Sequence, residues 1–133
     1  MKNSKKIKII IGVVCIVLLI AAAYFISYML RVNRYQDKVS NLTYNDINIS
    51  NIADGTYIGE CDVDFIYAKV EVTVKEGKLI NVKLLEHKNE RGSSAEAITN
   101  KFVQEQRIDV DVISGATNSS KVIKKAVENA LEQ

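Results

Sequence analysis

Ala68-Lys69-Val70-Glu71-Val72-Thr73-Val74-Lys75-Glu76-Gly77-Lys78-Leu79-Ile80-Asn81-Val82-Lys83-Leu84-Leu85-Glu86 is the stretch on which the fold turns. Up to Lys75 it alternates: Val70, Val72 and Val74 fall on one face, and Lys69, Glu71, Thr73 and Lys75 on the other. That is the period of a strand with one buried side. Glu76-Gly77 supplies a short turn, with a glycine that tolerates positive φ. Leu79 to Glu86 returns as a second strand, with Ile80, Val82 and Leu84 expected inward. The pair reads as an antiparallel hairpin with one wet face.

Outward from the hairpin, Tyr57 to Val63 reads as an earlier strand entered through the turn Asp54-Gly55-Thr56-Tyr57. After it, Ser93 or Ser94 is expected to cap a helix that carries Glu96 in its first turn and runs to about Gln106. This helix buries Ala95, Ile98, Phe102 and Val103. Val110 to Ile113 predicts a short strand. Lys121 to Leu131 then carries Val122, Ile123, Ala126, Val127, Ala130 and Leu131 on one helical face, with Asn118 or Ser119 as N-cap. Strands and helices are segregated along the chain, so the class is α+β, a small antiparallel sheet with two helices, and not a doubly wound α/β fold.

The first part of the 133-residue chain is of another kind. Ile9 to Leu30 is an uncharged run of about 22 residues, long enough to span a hydrocarbon core of ~30 Å. Its apolar residues continue past Ala21-Ala22-Ala23, beyond the length of a signal-peptide core, so an uncleaved single transmembrane helix is the reading. Gly12-Val13-Val14-Cys15 is a poor lipidation site, because Val14 stands where a small residue is preferred. Four lysines precede the run, which places the N-terminus in the cytoplasm and the rest of the chain outside it, anchored in the cell membrane. The expected organisation is a tail over 1–8, a membrane helix over 9–30, a polar tether over 31–51 and one domain over 52–133.

Charge and cysteine content exclude several functions. Apart from Lys2, Lys5, Lys6, Lys8, Arg31 and Arg34, which flank the apolar run, the chain is mildly acidic and has no basic stripe, so nucleic acid is not an expected partner. Cys15 lies in the apolar run and Cys61 in a strand, so no disulfide scaffold is implied. With a single histidine, His87, no zinc or iron–sulfur pattern is present.

Asp111-Val112-Ile113-Ser114-Gly115-Ala116-Thr117-Asn118-Ser119-Ser120 joins the expected short strand to the last helix. A helix start offers free N–H groups and partial positive charge, and so favours phosphate. Gly115 lets a ligand approach the backbone, Ala116 adds no bulk, and the Ser114, Ser119 and Ser120 hydroxyls can donate to phosphate oxygens. No lysine stands at P-loop spacing. Taken alone, the pattern also suits an ordinary capped helix.

Asp111-x-x-Ser114-Gly115-Ala116-Thr117-x-Ser119-Ser120 resembles the signature of the FMN-binding domain family, found in flavin-carrying subunits of sodium-pumping NADH:quinone reductase and Rnf complexes and in small membrane-tethered bacterial flavoproteins. Asp54-Gly55-Thr56-Tyr57, the hairpin and Leu85-Glu86-His87-Lys88 through Gly92 extend the resemblance over roughly residues 52–133. It implies FMN as cofactor, held around Ser114, Gly115, Ala116, Asn118, Ser119 and Ser120, with its phosphate esterified to Thr117 by a separate flavin transferase that recognises Asp111. The family's His-x-Glu-Thr-Pro-Gly loop lies near the flavin, which brings in His87 and Glu90, although Asn89, Glu90 and Arg91 here depart from that run and proline is absent. The family's glycine-rich turn before the second strand is replaced by Asp64-Phe65-Ile66-Tyr67, whose aromatics face either a core or a flavin ring.

The expected function is that of a membrane-anchored, extracytoplasmic flavoprotein carrying electrons between redox partner proteins or quinone, a carrier or complex component rather than a free-standing enzyme. The alternatives are a non-covalent FMN-binding or sensing module and a cofactor-free interaction domain of the cell envelope.

Overall fold

The three valines that set the hairpin's alternation, Val70, Val72 and Val74, are all buried to within 1 % of full exclusion. They sit at the centre of a computed structural model that describes residues 1–89 and 92–133. Its elements are α1 (Lys2–Ser40), β1 (Gly55–Asp62), β2 (Tyr67–Lys75), β3 (Lys78–Lys88), α2 (Ile98–Glu105) and α3 (Thr117–Leu131), with short 3₁₀ turns at Ile49–Asn51 and Ser93–Ala97. The chain divides into two units, Met1–Gln36 and Asp37–Gln133. The architecture is the α+β class expected: a long N-terminal apolar helix, then a three-stranded antiparallel sheet in the order β1-β2-β3 with two further helices.

The first unit is helical from Lys2 onward, and every residue from Met1 to Arg31 is exposed. A helix this apolar with no buried side is long enough to cross a membrane.

The second unit begins earlier than residue 52. Val39 and Ile49 are buried, and the segment read as a polar tether lies along α3 instead. The Tyr44 hydroxyl donates to the Lys121 carbonyl (2.9 Å), and Lys125 Nζ donates to the Thr43 carbonyl (2.9 Å). Asn45 and Glu132 form a further hydrogen bond. The apolar residues of this stretch are too widely spaced among Asn, Asp and Ser to announce a packed segment.

Within the sheet, β1 pairs with β2 from Gly55↔Val74 to Asp62↔Tyr67. α3 lies so close on β1 that a Cβ at Gly59 would sit 2.2 Å from the Ala126 carbonyl oxygen. All six apolar residues expected on the face of α3 are buried. So are Lys124 and Glu128 on its other side, beneath the 37–51 segment. Lys124 stands over the Tyr44 ring and pairs with Asp109, while Lys125 pairs with Glu128.

Several local expectations are corrected. Ile80 is not inward: it is 52 % exposed, and Leu79 is buried in its place. The register slips between Thr73↔Asn81 and Val74↔Leu79, so Ile80 is the unpaired residue of a β-bulge, and the bulge reverses the parity of the strand. Val110–Ile113 forms no strand. Ile108 and Val110 are buried in alternation as a strand would have them. Their backbone bonds close locally, with Val110 N–H on the Ile108 carbonyl (2.8 Å) and Ile113 N–H on Ser120 Oγ (3.0 Å). Neither Ser93 nor Ser94 caps α2: that segment enters through the 3₁₀ turn, with Gly92 at the N-cap position and no side-chain cap. Ala95, Ile98 and Phe102 are buried as expected, and Val103 is half-buried. Gln106 ends α2 in a left-handed conformation, and its amide bonds both the N–H and the carbonyl of Leu79 on the β3 edge (2.9 and 2.8 Å).

Both hairpin turns rest on aspartates. Asp54 Oδ1 accepts from Glu76 N–H (2.6 Å), tying the start of β1 to the β2–β3 turn. In the β1–β2 link, Asp64 takes φ 76°, which a short polar side chain tolerates better than most. Tyr67 faces away from α3 and donates to Glu60 (2.8 Å), while Phe65 is half-buried.

Candidate functional site

The candidate site lies at the N-terminus of α3. Ala116 N–H bonds the Ile113 carbonyl (3.0 Å), closing a turn in which Gly115 holds φ 79°. A Cβ built on Gly115 meets nothing within 4 Å, so the space in front of the turn is open to a ligand. α3 begins at Thr117, one turn's fraction earlier than the serine or asparagine cap expected. Ala116 occupies the N-cap position and makes no side-chain cap bond. The first intrahelical bond is Ser120 N–H to the Ala116 carbonyl (2.9 Å). Helix geometry gives the preceding N–H groups of the turn no intrahelical acceptor, and the helix dipole adds positive potential there.

The hydroxyls of the motif divide into two sets. Ser114 and Thr117 are exposed, as are Asp111, Gly115 and Asn118. Ser119 and Ser120 are buried, at 2 % and 0 % exposure. Ser120 Oγ accepts the Ile113 N–H and holds the entry turn. Ser119 Oγ lies 3.3 Å from His87 Nε2. Two of the three serines expected to donate to phosphate therefore brace the cradle, and Ser114 with Thr117 faces the open side.

His87 reaches α3 because β3 carries a second bulge. Simple alternation from Leu84 would send Glu86 and Lys88 inward. The register slips between Lys69↔Glu86 and Val70↔Leu84, leaving Leu85 unpaired, so His87 opposes the buried Ala68. The His87 side chain is 2 % exposed, and its Nδ1 lies 3.1 Å from Glu96 Oε1. Asn89 Oδ1 accepts Gly92 N–H (3.0 Å), and Gly92 packs on Ser119: a Cβ there would stand 2.0 Å from Ser119 Oγ. Glu90 lies outside the described residues.

Glu96 had no signal in the sequence as a site residue, and Asn89 and Gly92 entered only as members of the loop that the resemblance places near the flavin. Their gathering around His87 and Ser119 depends on a strand bulge and on the approach of Gly92 and His87 to Ser119 across more than twenty residues. A cavity of about 450 Å³ lined by Asp46, Asn48, Ser50, Lys78 and Gln106 lies at the other end of β3, by the hairpin turn, and is separate from this site. Among the described residues no group of three or more His, Cys, Asp or Glu side chains is placed to hold a metal ion.

The donor set suits a phosphate: an uncapped helix start, an open glycine turn and two exposed hydroxyls. The fold is thus a small α+β domain with an uncapped helix N-terminus beside an open glycine turn. Residues 67–132 match the family model of the FMN-binding domain, and this part of the chain belongs to that family. FMN is the cofactor that this membership assigns, and the chain is a flavin-binding protein. No curated protein matches the chain.

Proposed function

We propose that the protein is a membrane-anchored electron carrier whose FMN is joined through its phosphate to Thr117. The observation that carries this reading is the position of Thr117. Its side chain is exposed at the first residue of α3, beside the open Gly115 turn, inside the segment that matches the FMN-binding domain. A phosphate seated on the helix N-terminus would lie next to that hydroxyl. Bound FMN supplies one- and two-electron redox chemistry, and the protein supplies binding and orientation.

In this reading the first-turn N–H groups and the Ser114 hydroxyl hold the phosphate, Thr117 provides the ester oxygen, and Asp111 serves recognition by a flavin transferase. Asp111 is exposed, as a residue read by another enzyme must be. The apolar helix anchors the chain, with the N-terminal lysines on the cytoplasmic side and the flavin domain outside, facing redox proteins or quinone. A covalent link suits that location, because lost FMN would find no cytoplasmic pool to replace it.

The test is the intact mass of the full chain after acid denaturation, purified from cells that make a flavin transferase. The expected result is a gain of about 438 Da, FMN less water, absent from Thr117→Ala. Yellow protein that loses its colour on denaturation, without the mass gain, would replace the carrier with a non-covalent FMN module. Colourless protein without the gain would sink the flavin reading.

A further inference from the structure

We infer that Glu96, His87 and Ser119 form a positioning relay that fixes the first turn of α3, so that His87 serves the phosphate cradle through Ser119 and not by touching the flavin. The inference rests on the reading that this helix start takes the FMN phosphate.

The hydrogen-bond roles follow from chemistry. His87 Nδ1 has two polar neighbours, Glu96 Oε1 at 3.1 Å and the Asn89 amide nitrogen at 3.3 Å. The carboxylate only accepts and is the nearer and charged partner, so we assign the ring hydrogen to Nδ1 and leave the Asn89 amide without a bond to the ring. Nε2 then presents a lone pair, and the Ser119 hydroxyl 3.3 Å away donates to it. The His87 side chain and Ser119 are shielded from water, which would otherwise compete for the bond between them, while the Glu96 carboxylate is half-exposed. Gly92 closes the arrangement from the side, since any side chain there would displace Ser119 Oγ. The result has the connectivity of a serine–histidine–acid triad, but the hydroxyl is walled in, and the arrangement serves to hold rather than to attack.

Ser119 stands third in α3, where a loose serine hydroxyl is free to bond nearby backbone and distort the turn. Drawn onto His87, it leaves the first-turn N–H groups aimed outward. Groups one layer behind a ligand commonly act in this way, by fixing the orientation of those that touch it.

The relay is tested on the full chain in detergent micelles, labelled with nitrogen-15 at histidine. His87 is the one histidine, so its ring nitrogens are read without ambiguity. In flavin-free wild-type protein the expected state is the Nδ1–H tautomer, kept in Glu96→Gln, whose amide oxygen still accepts, and mixed in Glu96→Ala. An Nε2–H tautomer in the wild type overturns the relay, and this reading needs no variant to fold.

The second readout is FMN affinity by quenching of flavin fluorescence, with circular dichroism confirming that each variant is folded. Ser119→Ala and His87→Ala should each weaken FMN about tenfold, and the double variant by about the same tenfold. Glu96→Gln should recover what Glu96→Ala loses. Additive losses near a hundredfold would make Ser119 an independent phosphate contact and overturn the relay, as would variants that bind FMN as well as the wild type. Wild-type protein with neither attached flavin nor FMN affinity would instead sink the flavin reading, leaving the tautomer to judge the relay's geometry alone.

Discussion

Two glycines on the candidate site separate steric from conformational demand. At Gly92 a methyl group would stand 2.0 Å from Ser119 Oγ and 2.6 Å from its Cβ, in a buried place with nowhere for the serine to move. Gly92→Ala is expected to destabilise by about 1–3 kcal/mol, the range of overpacked cores, and to disturb the His87 tautomer as well. Gly115 is the opposite case: the space around it is open, and only its φ of 79° is demanding. Gly115→Ala should cost about 1–2 kcal/mol from the left-handed conformation alone and leave the His87 signal in place. Urea midpoints for both variants, set beside the histidine spectrum, check the distinction.

At the scale of the elements, β3 is where simple periodicity breaks down. Its two bulges leave Ile80 and Leu85 exposed on an otherwise half-buried strand. Ile80→Lys is therefore expected to change stability by less than about 0.5 kcal/mol, as surface substitutions do. Leu79→Ala, at a position 1 % exposed, should cost about 2–5 kcal/mol. Reversed magnitudes in a thermal or urea melt would mean that the strand runs without the first bulge. The second bulge carries His87 to the face of α3. Bulges recur beside functional sites for this reason: one extra residue re-aims everything after it. The six apolar residues of α3 were plain from helical spacing, whereas burial of Lys124 and Glu128 was not, since it depends on a segment some eighty residues earlier packing across them.

For the whole molecule, the boundary of the folded unit is the point most open to test. Val39 and Ile49 are buried, and Tyr44 spans α3. Each buried aliphatic side chain contributes about 1.5–3 kcal/mol, so losing two approaches the total stability of a small domain. A fragment of residues 37–133 should melt cooperatively, and one of residues 52–133 should be largely unfolded, by circular dichroism. Alkaline pH provides a second check. Burial pushes the Cys61 thiol up to about 11 from 9.0, with Lys125 pulling the other way. The folded state keeps a neutral thiol where the unfolded chain has released its proton, so this contribution is complete below pH 9 and is lost as pH rises through about 11. Burial also raises the Tyr44 phenol, which acts in the same sense at higher pH. Urea midpoints should fall over that window, and less steeply in Cys61→Ala.

By itself the sequence determined the apolar anchor helix, the three strands, the buried faces of β2 and α3, and the glycine turn before α3. Each of these is written in short-range periodicity or in a local backbone requirement, which a chain expresses before it meets any partner. Only the tertiary structure decided that β3 changes parity twice, that the stretch after α1 packs on α3, and that Ser119 and Ser120 brace the cradle while Ser114 and Thr117 face its open side. Those outcomes depend on which distant groups satisfy a given backbone N–H or hydroxyl, and burial leaves no polar group indifferent to that choice. His87 and Ser119 stand 32 residues apart and meet at 3.3 Å because one unpaired leucine turned a strand over.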